Sequence, residues 1–278
     1  MLHEQLKNKT YETGRYEAFY VRDPKLRHIH KATVFDRVLH QAIFRVLYHQ
    51  FDQHFIFDSY SCRFRKGTHA GVERLHAFGR RVSANNNQLA YVLKCDIRKF
   101  FDTIDHEILL RLLSHVIHGE DTKWLIKKII GSFEKIQGKA IPLGNVTSQL
   151  FANVYLNELD QFVKHILKQK YYIRYCDDFV ILSQSHTELE ALLPRVNVFL
   201  QEKLKLSLHP KKVSISKLRQ GIDFLGYVQF PNHRILRTKT KKRMFRNIVG
   251  KEYNPDVIQS YVGLLKHCNG HGIQKTIG

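Results

Sequence analysis

Apolar positions recur along the chain at helical and at strand spacing, and together they predict a mixed succession of elements. Val38, Leu39, Ala42, Ile43, Val46 and Leu47 fall on one helical face, with Asp36 as the expected N-terminal cap. Arg37, His40, Gln41 and Arg45 then face away. Val72, Leu75, Phe78 and Val82 predict a second helix. Residues 107–116 predict a third, with Asp102 and Asp105 as turn and cap residues before it. Over 122–139, Trp124, Leu125, Ile129, Ile130 and Phe133 oppose Lys123, Lys127 and Lys128, a basic amphipathic helix. Residues 147–168 read as one long helix whose apolar face holds Leu150, Phe151, Val154, Tyr155, Leu159, Phe162, Val163, Ile166 and Leu167. His186–Leu204 is amphipathic again, with Pro194 near its start.

Strand patterns lie between these helices. Residues 91–96 form an apolar run that ends in Asp96. Residues 171–182 set aromatic and β-branched runs on either side of Tyr175-Cys176-Asp177-Asp178, a hairpin pattern with two aspartates at its tip. Residues 206–213 turn into a strand, and Gly221 and Gly226 bracket a further hairpin. An Asp-Asp tip is in the simplest case a favourable bend. Adjacent carboxylates nevertheless resist joint ionisation, and hard cations such as Mg²⁺ relieve that repulsion. If the strand ending in Asp96 neighbours the hairpin, three carboxylates could hold two metal ions about 3.5–4 Å apart, the arrangement of in-line phosphoryl transfer. One ion would activate a 3′-hydroxyl and the other would hold a triphosphate.

Charge narrows the partner. The 278 residues carry 45 Lys and Arg against 25 Asp and Glu, a net charge of +20. A surface this basic points to a polyanion, most often nucleic acid. At 43% hydrophobic residues the chain can bury a core, which excludes a disordered polypeptide. No apolar run approaches the roughly 18 residues of a spanning helix, and no signal-peptide pattern opens the sequence. Cys62, Cys95, Cys176 and Cys268 are scattered, as expected of reduced thiols in a cytoplasmic protein. His267, Cys268 and His271 match no common zinc spacing. Basic residues gather in three places. Arg22, Lys25, Arg27, His28, His30 and Lys31 lie in an irregular arm over 1–34, suited to RNA, to a partner or to solvent. Arg63, Arg65 and Lys66 precede Gly67, where guanidinium groups and open backbone suit phosphate. Residues 237–246 hold six more Lys and Arg.

Three motifs in order carry a family resemblance. Asp96-Ile97-Arg98-Lys99-Phe100-Phe101 and Tyr175-Cys176-Asp177-Asp178 resemble the metal-binding motifs of reverse transcriptases. Between them, 142–153 (Pro-Leu-Gly-Asn-Val-Thr-Ser-Gln-Leu-Phe-Ala-Asn) resembles the motif that contacts template and nucleotide. The likeness covers nearly the whole chain. It implies an α+β right-hand polymerase fold, with an antiparallel palm sheet packed on helices, fingers and a short helical thumb. The implied boundaries are a basic arm over 1–34, fingers over 35–90 and 120–145, palm over 91–119 and 146–235, and thumb over 236–278.

The resemblance also implies roles. Asp96, Asp177 and Asp178 would be catalytic and, with Ile97, would bind two Mg²⁺ ions, for which Mn²⁺ can substitute. Arg63 or Arg65, then Lys66, would hold the incoming dNTP. Phe101 would close the pocket below the sugar, since a bulky ring collides with a 2′-hydroxyl. Lys212, or Lys211 beside it, would protonate the leaving pyrophosphate. Phe224, Leu225 and Gly226 would form the primer grip. Gly144 would let the nascent pair approach closely.

Most reverse transcriptases carry Gln-Gly-x-x-x-Ser-Pro where this chain has Leu143, Gly144, Ser148 and Gln149. That departure resembles the enzymes of diversity-generating retroelements, encoded by bacteria, archaea or phages. A site with fewer hydrogen bonds discriminates less, so low fidelity at template adenines is implied. The implied partners are an RNA template, the RNA–DNA duplex and a basic oligomeric accessory protein, with no membrane. Retron, group II intron and defence-associated reverse transcriptases are the alternatives, followed by a catalytically silent RNA-binding scaffold.

Overall fold

The structure, a computed structural model, describes residues 2–22, 25–249 and 255–277; the remaining positions of the expected arm and thumb lie outside the described residues. In chain order the elements are α1 (Leu2–Lys7), β1 (Glu17–Val21), β2 (Arg27–Lys31), α2 (Val34–Asp52), α3 (Thr68–Val82) and β3 (Tyr91–Asp96). There follow α4 (Phe100–Thr103), α5 (His106–Ser114), α6 (Glu120–Gly131), α7 (Val146–Gln161), β4 (Tyr172–Tyr175) and β5 (Asp178–Ser183). The chain continues through α8 (His186–Leu204), β6 (Ser214–Lys217), β7 (Ile222–Phe224), β8 (Tyr227–Gln229) and β9 (Arg234–Leu236). It closes with α9 (Thr238–Val249), α10 (Pro255–Leu265) and α11 (His271–Ile277). These elements form two compact units.

The first unit comprises Met1–Phe57, Asp96–Lys168 and Arg195–Pro210. Its axis is α7, which packs against α2 and α5 and is buried on nearly all sides, including the polar Thr147, Ser148, Asn153 and Asp160. A single π-turn, Phe162–Ile166, prolongs it. Four expectations change here. The cap of α2 is Thr33, whose hydroxyl accepts the Asp36 amide at 3.1 Å. Asp36 is instead a buried acceptor for the Tyr11 hydroxyl (2.6 Å), the Gly14 amide (3.1 Å) and the Thr33 hydroxyl (2.7 Å). The buried face of α2 is also rotated from the expected one. Val38 and Val46 are 59% and 63% exposed, whereas His40 is 2% exposed and hydrogen-bonded to Thr147. Finally, β1 and β2 pair antiparallel where the arm was expected to be irregular, and the helix expected over 122–139 ends at Gly131. Asp105 caps α5 as expected, accepting from the Glu107 and Ile108 amides.

The second unit comprises Asp58–Cys95, Gln169–Pro194 and Lys211–Gly278. It is built on a four-stranded sheet in the order β4-β5-β3-β6, with a three-stranded sheet β7-β8-β9. β4 pairs antiparallel with β5, and β3 with β6. Residues 172–174 and 179–183 are buried without alternation, as in a strand pair covered on both faces. Leu75 and Phe78 of α3 share a core with Val92, Ile173, Val180, Leu218, Ile222 and Phe224. A second core joins Val72, Tyr227, Leu236 and Met244 to Tyr261 and Leu265 of α10. None of the four cysteines is in a disulfide. Among the described residues no helix is long and apolar enough to cross a membrane.

Candidate active site

Each expected site residue has a definite place in its unit. In the second unit, Tyr175 and Asp178 face each other across the hairpin, so Cys176 and Asp177 form a two-residue turn between β4 and β5. Cys176 takes φ +54°, a left-handed conformation that costs a non-glycine residue energy and recurs at functional turns. Burial, then the Asp177 carboxylate, pushes its thiol pKa well up. Sequence reasoning missed the support beneath this turn, which is Arg174. It is 1% exposed, and its guanidinium donates to the Cys176 carbonyl at 3.2 Å. Its backbone is bonded on both sides to 58–60, to Asp58 O and from the Tyr60 amide, an isolated parallel bridge centred on Ser59. The signal that could have found it is a charge in a strand otherwise written in Tyr and Ile.

The basic loop of this unit divides its three cations. Arg63 donates to the Ser59 carbonyl at 3.1 Å. Lys66 stands 4.9 Å from the centre of the Tyr60 ring. Arg65 is exposed, at φ +57°. Lys211 and Lys212 are exposed on the turn that leads to β6. At the expected primer grip, Leu225 and Gly226 take φ +52° and +91° in the turn between β7 and β8. Phe224 is buried in the unit's core.

In the first unit, Asp96 is 5% exposed, and its carbonyl accepts the His209 amide at 2.8 Å. Ile97 bridges Leu208, and the Arg98 amide donates to Ser207 O, so the residues after Asp96 are held to 207–209. Phe101 and Leu143 line one cavity of about 200 Å³, together with Arg27, His28, His30, Phe133, Lys135 and Ile141. Gly144 is exposed at φ +127°, Ser148 is buried in the first turn of α7, and Gln149 is exposed. The share that β2 takes in this cavity had no counterpart in the sequence reading.

The donor set suits a hard divalent cation, because Asp96, Asp177 and Asp178 offer carboxylate oxygens. Among the described residues no three His, Cys, Asp or Glu side chains are gathered into a group that could hold a metal ion. The donors fit such a cation by their chemistry.

Comparison with known proteins places the fold and then the family. Solved structures of Candida tropicalis telomerase match with TM-scores of 0.61 for the apo form truncated from its C-terminal domain and 0.60 for the complex with a TWJ fragment of telomeric RNA. Both are 11% identical; they cover 84% and 90% of this chain and 59% and 51% of theirs. This likeness shows the right-hand polymerase fold. Residues 21–229 match the family described as reverse transcriptase (RNA-dependent DNA polymerase), and the chain belongs to that family. Protein YkfC of Escherichia coli is 23% identical over 256 residues, covering 78% of this chain and 65% of its own length. The group II intron-encoded protein LtrA of Lactococcus lactis is 24% identical over 313 residues, covering 86% of this chain and 50% of its own. The chain thus spans between half and two thirds of the length of these two relatives, and the lineage is group II-like.

Proposed function

We propose that this chain is an RNA-directed DNA polymerase that makes cDNA from an RNA template. The observation that carries the reading is the strand order. β3, whose last residue is Asp96, neighbours β5, whose first residue is Asp178, and Asp177 occupies the turn before it. Asp96, Asp177 and Asp178, with the main chain at Ile97, would hold two Mg²⁺ ions. When bound, the ions supply charge neutralisation at the triphosphate and a lowered pKa for the primer 3′-hydroxyl.

The chain's own residues bind and select. Arg65, Arg63 and Lys66 hold the triphosphate, and Phe101 excludes a ribose 2′-hydroxyl. Leu143, Gly144, Ser148 and Gln149 border the templating pair, and Phe224, Leu225 and Gly226 support the primer end. Lys212 or Lys211 gives a proton to the departing pyrophosphate. In this reading 35–90 and 120–145 act as fingers, 91–119 and 146–235 as palm, and 236–278 as a thumb on the RNA–DNA duplex, with 1–34 as a basic arm.

We further propose that the enzyme is the error-prone reverse transcriptase of a diversity-generating retroelement, working in the cytoplasm with a dedicated template RNA and a basic oligomeric accessory protein. Leu143 and Gln149 support this, since an aliphatic side chain offers the templating pair no hydrogen bond. The match to LtrA favours a second reading, a faithful intron-type enzyme. Sequencing the cDNA made on a defined RNA with dNTPs and Mg²⁺ separates them. Errors concentrated opposite adenine, and reduced in Leu143→Gln, support the retroelement reading; evenly low error in both proteins sinks it.

A further inference from the structure

The turn leading into α7 is held from two sides by elements outside the three motifs. On one side stands β2. The His30 amide donates to the Leu143 carbonyl at 3.0 Å. A Cβ built on Gly144 would lie 3.0 Å from Ile29 Cγ2 and 3.5 Å from the His30 carbonyl, so the space that glycine leaves is filled by the chain's own strand. On the other side stands α2, where His40 Nδ1 and Thr147 Oγ1 are 2.6 Å apart. Between these holds Asn145 is 2% exposed, with the Tyr16 hydroxyl beside its side chain. The segment is held at both ends by contacts from elsewhere in the chain.

β2 is also part of the cavity that Phe101 and Leu143 share. It contributes His28 and His30, and the His30 ring meets Phe133 edge-on at 4.5 Å. Leu143 has no polar side-chain atom with which to fix its own position. Its place therefore follows from the bond that His30 makes to its carbonyl and from the methyl that Ile29 sets against Gly144. A β-branched side chain is restricted at χ1, which suits it to act as a stop.

We propose that β2 is a positioning element for nucleotide selection, with Ile29 and His30 setting where Leu143 and Gly144 stand. This rests on the polymerase reading above. Ile29 touches no substrate; it acts through Gly144.

The experiment uses the full chain and two volume-conscious variants. Ile29→Leu removes the branched methyl that faces Gly144 while keeping side-chain volume, a change that cores tolerate. Ile29→Val keeps that methyl. Two quantities are read: cDNA error frequency with the single-nucleotide kcat and KM for correct and incorrect dNTPs, and hydrogen–deuterium exchange over 143–149. Ile29→Leu is expected to shift the correct-to-incorrect ratio by about fivefold, the factor that roughly 1 kcal/mol brings. Its kcat for the correct nucleotide stays unchanged and exchange over 143–149 quickens. Ile29→Val behaves as wild type in both. An active Ile29→Leu with unaltered selectivity overturns the proposal and leaves the polymerase reading intact. A wild-type protein that extends no primer removes the polymerase reading and with it the selectivity claim. Unaltered exchange in Ile29→Leu overturns the positioning claim whether or not the protein is active.

Discussion

Arg174 shows how a single buried charge shapes the candidate site. Its guanidinium holds the Cys176 carbonyl while its backbone joins the hairpin to 58–60. Arg174→Met keeps the apolar stem but leaves that carbonyl without its donor, at a cost of about 1–3 kcal/mol. Urea denaturation measures the loss; a midpoint equal to wild type would show that the bond contributes nothing. His40 adds a pH dependence. Burial lowers its pKa below the usual value near 6.5, with Asp36 opposing. Between its folded pKa and about 6.5 the unfolded chain binds a proton that the folded protein does not. Its contribution to stability is therefore full above about 6.5 and declines as pH falls below it. Replacing His40 by Gln is expected to flatten the fall in urea midpoint between pH 7.5 and 5.5. An identical slope in both proteins would show that His40 is not the group responsible.

Elements were legible where one periodicity decided them, and obscured where polar residues did the packing. The hairpin over 171–182, the strand ending in Asp96, the cap at Asp105 and the helix through Pro194 all follow from spacing. The facing of α2 did not, because its valines suggested a buried stripe while His40 and Asp36 form the buried polar contacts. The β1–β2 hairpin escaped because most of β1 is exposed on both faces, so burial wrote no alternation into it. At the site, the carboxylates and basic loop were readable as residue types. Ile29 and His30 were not, since their contacts with Leu143 and Gly144 lie far apart in sequence, and Arg174 was marked only by its charge within β4. The β7–β8 region gives a test at this scale. Gly221 has φ +86°, and a Cβ there would lie 2.7 Å from the Phe230 ring and 2.8 Å from Val228. Gly226 has φ +91° but meets only Thr240 Oγ1, at 3.7 Å. Both Ala substitutions carry backbone strain of more than about 1 kcal/mol, and Gly221→Ala adds a steric clash. Thermal unfolding should rank Gly221→Ala as the less stable, and the reverse order would contradict this packing.

At the scale of the whole molecule, a net charge of +20 and the reverse transcriptase family point to one partner class. Affinity for single-stranded RNA should fall linearly with the logarithm of salt, by about 0.7 per phosphate contact. Lys241→Gln with Lys242→Gln should lower that slope if 237–246 grips the backbone; an unchanged slope would remove this segment from the interface. The central claim is that Asp96, Asp177 and Asp178 together make this chain a polymerase. Primer extension on an RNA template, comparing wild type with Asp177→Asn at matched RNA occupancy, tests it most directly. The expected result is DNA synthesis by the wild type and a loss on the order of a thousandfold or more in the variant, with RNA affinity unchanged. Equal synthesis by both proteins would contradict the assignment of the hairpin as the catalytic centre.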